Sequence, residues 1–167
     1  MGRETVYTYP FVWSRTVWAI TFGYFIVAVG VLSLLVWTIT LGAVAAGVVG
    51  LVIALPVLLG IVFYCEGYSP QRLEVSQSRI TILRRYDSVT ILRSTVLDIT
   101  PISRKDMSWT IAQGGCGGLF GYFGNFSNRR LGHFTMYATS FDNLCLIRTA
   151  DGRRVVINCE IDEKKLR

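Results

Sequence analysis

The chain has 167 residues, a hydrophobic fraction of 51% and a formal net charge of +6. Its apolar excess lies almost entirely in the first 65 residues, and no charged residue occurs from Thr16 to Cys65, which excludes a wholly soluble protein. A single histidine, and four cysteines without a C-x-x-C pair, exclude the usual spacings of zinc and redox sites, so no metal or other cofactor is expected.

The first predicted element is the N-terminal segment, residues 1–16. It combines the aromatic residues Tyr7, Tyr9, Phe11 and Trp13 with Arg15, directly before a long apolar run. Aromatic and basic side chains together are typical of segments that lie along lipid headgroups. We therefore predict an interfacial segment here, and a short disordered tail is the alternative.

Residues 17–65 contain two apolar segments, Val17–Thr38 and Ala43–Tyr64, with a very short break between them. A hydrocarbon layer about 30 Å thick needs about 20 helical residues to cross it, because a helix rises about 1.5 Å per residue. Each segment supplies that length. The sequence therefore predicts a membrane hairpin of two transmembrane helices.

The basic residues predict the orientation of this hairpin. Arg3 and Arg15 precede it and balance Glu4 and Glu66, so the net positive charge belongs to residues 71–167, while the turn carries no charge. Lysine and arginine near membrane spans stay on the cytoplasmic side. We expect a multi-pass protein of the cell inner (cytoplasmic) membrane with both termini in the cytoplasm.

Small residues recur one turn apart in the second helix, at Ala46, Gly50 and Ala54. Such a stripe lets two helices approach closely in lipid. Its partner is either the first helix of the hairpin or a second copy of the protein. No ionisable residue lies within the spans, so nothing there indicates a proton or ion pathway.

The pattern of residues 71–167 changes to short stretches rich in β-branched residues. Asp151-Gly152 lies between two apolar runs, which is a strong hairpin signal, and a helix is predicted to begin at Asp162. A small, partly open antiparallel barrel or sandwich with a short C-terminal helix is therefore expected. Its predicted strands are Leu73–Val75, Ile80–Ile82, Val89–Ile99 with a break at Ser94-Thr95, Asn143–Arg148 and Arg153–Cys159.

The most unusual part of this region is the glycine-rich stretch from Gly114 to Phe126. It lacks the Gly-Lys-Ser/Thr ending of a phosphate-binding loop. Its glycines are instead interpreted as allowing tight bends or close backbone approach, with phenylalanine and tyrosine side chains as apolar anchors. Valine in place of Gly117 or Gly121 is expected to damage folding.

Three motifs carry a resemblance to a known family: G-G-C-G-G-L-F-G-Y-F-G-N-F, R-R-L-G-H-F-T-M-Y-A-T and N-L-C-L-I-R-T-A-D-G-R-R-V-V-I-N. Over about Gln71 to Arg167 the chain resembles the bacterial PH (pleckstrin-homology-like) domain families, many of which also carry transmembrane helices. The resemblance implies two roughly orthogonal antiparallel sheets closed by a C-terminal helix. It implies no enzymatic activity and no catalytic residues.

Three classes of function are compared. Protein–protein assembly at the membrane is favoured, with copies of the chain or another membrane protein as partner, because an incomplete domain and small-residue helix faces both invite partners. Lipid sensing is the alternative, and its candidate contacts with the bilayer surface are Arg15, Arg84, Arg85, Arg104, Lys105, Arg129 and Arg130. An enzyme is not expected, and neither a nucleic acid nor a small-molecule substrate is indicated.

The predicted topology can be tested by labelling single engineered cysteines in intact cells with a reagent that does not cross the membrane. A cysteine at Ile39 or Thr40 should be labelled from outside, because the turn lies on the external side. A cysteine near Arg153 should be protected until the membrane is permeabilised. External labelling near Arg153 would contradict the predicted orientation.

Overall fold

Two long helices open a computed structural model that describes residues 5–158. The helices are α1, Arg15–Thr40, and α2, Val44–Tyr68, with mean hydropathies of 2.4 and 2.7 in their most apolar windows. Both are long and apolar enough to cross a membrane, and only 6% of each window is buried inside the protein. The two predicted helices are confirmed as helices, and α2 continues four residues beyond its predicted end.

The helices pack against each other through the glycines of α2. A methyl group at Gly50 would lie 2.6 Å from Leu35 Cδ2, and one at Gly47 would lie 2.9 Å from the Leu35 backbone oxygen. The Tyr24 hydroxyl of α1 adds a hydrogen bond of 2.7 Å to the Leu58 carbonyl. Gly50 therefore lies on the face of α2 that meets α1, whereas Ala46 is exposed.

The rest of the described chain forms two sheets. One sheet has four strands in the order β1-β2-β3-β4, and the other has six in the order β5-β9-β10-β8-β7-β6. The strands are β1 Tyr7–Pro10, β2 Pro70–Val75, β3 Arg79–Arg84, β4 Ser88–Leu92, β5 Val96–Ile102, β6 Ile111–Gly117, β7 Tyr122–Asn128, β8 Gly132–Ala138, β9 Leu144–Thr149 and β10 Arg154–Asn158.

Both predicted hairpins are confirmed, as β2–β3 and as β9–β10, and the predicted break near Ser94 is a short 3-10 turn between β4 and β5. The expected antiparallel barrel or sandwich needs correction. The described strands form no closed barrel, and β10 pairs in parallel with β8, because the chain crosses over through β9. The C-terminal helix expected from Asp162 lies outside the described residues.

Strand β1 was not predicted. Its residues lie in the N-terminal segment, where they pair antiparallel with β2 and so add an edge to the four-stranded sheet. The segment is too short and too aromatic to reveal such a strand by alternation alone. Its placement along the headgroups stays a prediction.

Strand β9 of the six-stranded sheet is buried on both faces. In β9, Cys145 and Ile147 belong to the cluster that faces the four-stranded sheet, whereas Leu144 and Leu146 belong to a second cluster on the other side. This alternation follows from the two-residue period of a strand. The second cluster includes Val17 of α1, which is completely buried, so the first turns of α1 form part of the core of the β domain.

Candidate functional site

The hairpin formed by β6 and β7, residues 111–128, connects the β domain to both long helices. We call it the glycine hairpin. At its tip, Phe120 has a left-handed backbone with φ of 59°. Its N–H donates to Thr21 Oγ1 of α1 at 3.1 Å, and its carbonyl accepts a hydrogen bond of 2.6 Å from Ser69 Oγ, directly after α2. The backbone of one residue is thus hydrogen-bonded to α1 through its N–H and to the end of α2 through its carbonyl.

Aromatic contacts surround this attachment. The Phe120 ring meets Trp13 and Phe25 edge-to-face, with ring centroids 5.6 and 6.5 Å apart. On the α2 side, the Tyr64 ring lies 6.1 Å from that of Phe123. Such pairs contribute about 0.5–1.5 kcal/mol each beyond the area that they bury. The tip is therefore fixed to the helices by apolar contacts as well as by hydrogen bonds.

Two glycines of the hairpin are required by close contact between its strands. Gly115 and Gly124 are paired across β6 and β7, and both have positive φ, 128° and 106°. A methyl group would lie 2.0 Å from a backbone oxygen at Gly115 and 2.2 Å from one at Gly124. The interpretation of the stretch as a site of close backbone approach is therefore confirmed at these positions.

The expected effect of valine differs between Gly117 and Gly121. Gly121 has φ of 146°, and a methyl group there would meet the Ala138 backbone oxygen at 3.1 Å. Nothing lies within 4 Å of the corresponding position at Gly117, and its φ is ordinary. Valine is therefore expected to damage folding at Gly121 only.

A pair of cysteines lies where the glycine hairpin meets α2. The Cys65 thiol donates to Cys116 Sγ across 3.3 Å, and both side chains are buried. This hydrogen bond lowers the pKa of Cys116 to about 7, with further support from the backbone N–H groups of Leu119, Gly118 and Gly117, although burial acts in the opposite direction. Sequence reasoning missed the pair because 51 positions separate the two residues.

The single histidine lies elsewhere, on the exposed side of β8. His133 Nδ1 is 3.1 Å from Gln113 Oε1 on β6. Among residues 5–158, no group of three histidine, cysteine or acidic side chains is arranged to hold a metal ion.

Arg84 is the least accessible of the predicted surface arginines, with a side chain only 12% exposed. Its guanidinium lies over the rings of Tyr68 and Tyr137, 5.4 and 5.2 Å from their centroids, and pairs with Asp87 at 2.6 Å. Tyr68 ends α2, so Arg84 links that helix to both sheets. This arginine is already engaged within the protein.

The other predicted contacts are exposed, and two of them are paired. Arg85 forms an ion pair with Glu66 near the end of α2. Arg130 pairs at 2.6 Å with Asp106, whose pKa is held below its usual value mainly by hydrogen bonds from Ser103. Exposed pairs of this kind contribute little to stability, about 0–1 kcal/mol. Lys105 and Arg129 are exposed as well.

Two of the predicted residues, Arg15 and Arg104, line one cavity of about 640 Å³. The cavity lies at the beginning of α1, and its lining also includes Trp13, Asn143 and the acidic Asp142. The structure thus brings together two arginines that are far apart in the sequence. No sequence pattern predicted that these two arginines line the same cavity, because the segment that carries Arg104 approaches α1 only when the six-stranded sheet has folded.

Comparison with known protein families gives one match. The model of the bacterial PH domain matches residues 71–163, which is more than half of the chain. The chain belongs to the bacterial PH domain family. The resemblance in the sequence motifs is therefore confirmed, and the match covers β2 to β10 together with the glycine hairpin. No curated protein and no solved structure matches the chain significantly.

The attachment at Phe120 can be tested with Thr21→Val, which keeps the side-chain shape and removes the acceptor. The partly buried N–H of Phe120 then lacks its partner, which should cost about 1 kcal/mol. Amide hydrogen exchange at Phe120 is expected to become faster, and the thermal transition of the detergent-solubilised protein to fall.

Thr40→Val is the matched control. The Thr40 hydroxyl bonds only within α1, to the Trp37 carbonyl, and is exposed. It should leave both measurements unchanged. Equal exchange rates at Phe120 in the wild type and in Thr21→Val would contradict the proposed attachment.

Proposed function

We propose that this bacterial PH domain protein is a non-enzymatic, membrane-anchored module that assembles with other proteins, copies of itself included, at the cytoplasmic surface of the membrane. The observation that carries the proposal is an open strand edge on a domain that is held firmly against its own membrane helices. Assembly requires both properties: a surface that can accept a partner, and a fixed orientation in which to present it.

The lengths of the helices support the membrane anchor. Helix α1 has 26 residues and so measures about 39 Å, roughly 9 Å more than the hydrocarbon thickness. With the α1–α2 turn at the external surface, the first six residues of α1 lie among the cytoplasmic headgroups. The same residues pack against the β domain through Val17, so the domain rests directly on the bilayer.

The open edge belongs to β6, the last strand of the six-stranded sheet. Within the described chain, β6 pairs only with β7. Trp109, just before this strand, is 88% exposed, and Ile111 at its start is 67% exposed. Free strand edges accept a strand from a partner, and an exposed tryptophan is a typical anchor of a protein interface. We call Trp109 to Gly117 the β6 edge.

Identical copies are favoured as partners because the membrane confines them to two dimensions with one orientation, which raises their effective concentration. A head-to-tail contact through the β6 edge repeats from copy to copy and closes into a ring where its rotation permits. The exposed Ala46 of the small-residue stripe offers an additional contact between neighbouring hairpins.

The assembly proposal predicts that Trp109→Ser weakens self-association. The wild-type protein in mild detergent should give a ladder of cross-linked multiples, and native mass spectrometry should detect them. Trp109→Ser should reduce the larger species several-fold and leave the thermal transition within about 1 °C, because the side chain is almost fully exposed.

Leu92→Ser provides the control, since Leu92 is an exposed apolar residue, 53% accessible, on β4 of the other sheet. Leu92→Ser should give the same ladder of cross-linked multiples as the wild-type protein. If the wild-type protein is strictly monomeric at high concentration, the self-assembly proposal is wrong. Assembly with a different protein would then be the better proposal.

A second function, sensing of anionic lipids, is favoured by the cavity at the beginning of α1. Arg15 and Arg104 line this cavity at the level of the headgroups, where a basic residue contributes about 1 kcal/mol of attraction to an anionic surface. The cavity also exposes Trp13, an amphipathic ring of the kind found at membrane interfaces.

This second function predicts that Arg104→Gln weakens binding of anionic lipid about fivefold. The protein in nanodiscs should show a higher thermal transition with phosphatidylglycerol than with phosphatidylcholine alone, and the variant should lose most of that difference. Arg129→Gln, which removes an exposed arginine that does not line the cavity, is the control. An equal loss in both variants would indicate general surface attraction instead.

A further inference from the structure

We propose that Cys116 and Cys65 form an oxidisable thiol pair, which a small neutral hydroperoxide converts into a disulfide between the glycine hairpin and α2. The proposal adds a modification site to the junction of the β domain with its membrane helices. It does not depend on whether the protein assembles or senses lipids.

The geometry of the pair is the first support. The two Sγ atoms are 3.3 Å apart, and a disulfide bond measures about 2.05 Å, so a movement of little more than 1 Å joins them. The two backbones are held together on either side of the pair. Ser69 bonds to the Phe120 carbonyl, and the Tyr64 ring contacts Phe123.

The surroundings of Cys116 are the second support. The Cys65 thiol donates to its sulfur, hydrogen bonds with the backbone of Gly117, Gly118 and Leu119 lower its pKa further, and the protonated Cys116 thiol lies 3.3 Å from the Leu119 carbonyl. These donors stabilise the thiolate, which is the reactive form of cysteine. Together they hold the pKa of Cys116 at about 7, below that of an ordinary cysteine, so its thiolate forms more readily.

The reaction divides the roles between the two cysteines. The Cys116 thiolate attacks the distal oxygen of the hydroperoxide, ROOH, whose O–O bond breaks; the released alkoxide takes up a proton to form ROH, and Cys116 becomes a sulfenic acid. The Cys65 sulfur then attacks the Cys116 sulfur, its proton leaves, and the hydroxyl departs as water. Both sulfurs are oxidised, and the peroxide is reduced to the alcohol and water.

The burial of the two cysteines restricts which oxidants can reach them. Cys65 is 5% exposed and Cys116 is 9% exposed, and both belong to an apolar cluster that includes Leu119 and Phe123. A small uncharged hydroperoxide enters such a region at a lower desolvation cost than a charged oxidant. Thiol reductants of the cytoplasm reverse the disulfide, which is the expected behaviour of a sensor and not of a structural bridge.

The disulfide would fasten the tip of the glycine hairpin to α2 covalently. In the reduced protein, hydrogen bonds and ring contacts make this attachment, and they can open locally. Oxidation is therefore expected to suppress amide exchange at the tip.

The test uses the full-length wild-type protein, reduced and then exposed to hydrogen peroxide in mild detergent. After denaturation, remaining thiols are alkylated with iodoacetamide and the peptides are analysed by mass spectrometry. We expect the Cys65 and Cys116 peptides as one cross-linked species with the loss of two hydrogens, absent after treatment with dithiothreitol. Full alkylation of both cysteines, or a disulfide between two chains, would overturn the proposal.

Two variants separate the roles. In Cys65→Ser, the disulfide should be absent and dimedone should trap the sulfenic acid at Cys116. Cys145→Ser, which replaces another buried cysteine, should retain the cross-link. If Cys65→Ser forms no dimedone adduct under conditions that oxidise the wild type, Cys116 is not the residue that attacks the hydroperoxide. Because the wild-type cross-link is measured directly, the test does not depend on whether the variants fold.

Discussion

The backbone of Phe120 determines how the two halves of this protein are joined. Its N–H donates to α1 and its carbonyl accepts from the serine that follows α2, so one residue is held by both long helices. A buried peptide group that loses its partner costs about 1–3 kcal/mol, which makes such a contact specific as well as stabilising. A domain attached by a flexible linker would have no fixed orientation to the two long helices, whereas this attachment provides one.

The glycine hairpin can reach the helices because its own strands approach unusually closely. At Gly115 and Gly124, side chains would collide with the backbone of the opposite strand, and the positive φ angles favour glycine as well. The hairpin brings Cys116 beside Cys65 and places Phe120 against the rings of Trp13, just before α1, and Phe25 of α1. The same constraint therefore serves the attachment and creates the thiol pair.

Local patterns made much of the fold predictable. Uninterrupted apolar runs predicted α1 and α2, Asp151-Gly152 predicted the β9–β10 turn, and the motifs of residues 114–158 indicated the bacterial PH domain family, which the family match confirms. Strands β6 and β7 were harder to predict, since glycine-rich strands lack the alternation by which strands are detected. Strand β1 gave no signal of its own, because its pairing partners in β2 lie far away in the sequence, with Pro10 paired to Arg72 and Tyr7 to Val75.

The sequence by itself determined the class of protein: a hydrophobic helical hairpin of membrane-spanning length, followed by a small, positively charged β domain of a known family. These features depend on residues close together in the chain. Tertiary structure alone decided the site, because the thiol pair, the Phe120 attachment and the cavity of Arg15 and Arg104 each join residues that are far apart in sequence. Spacing cannot reveal such contacts, since they exist only once both sheets and both helices have packed.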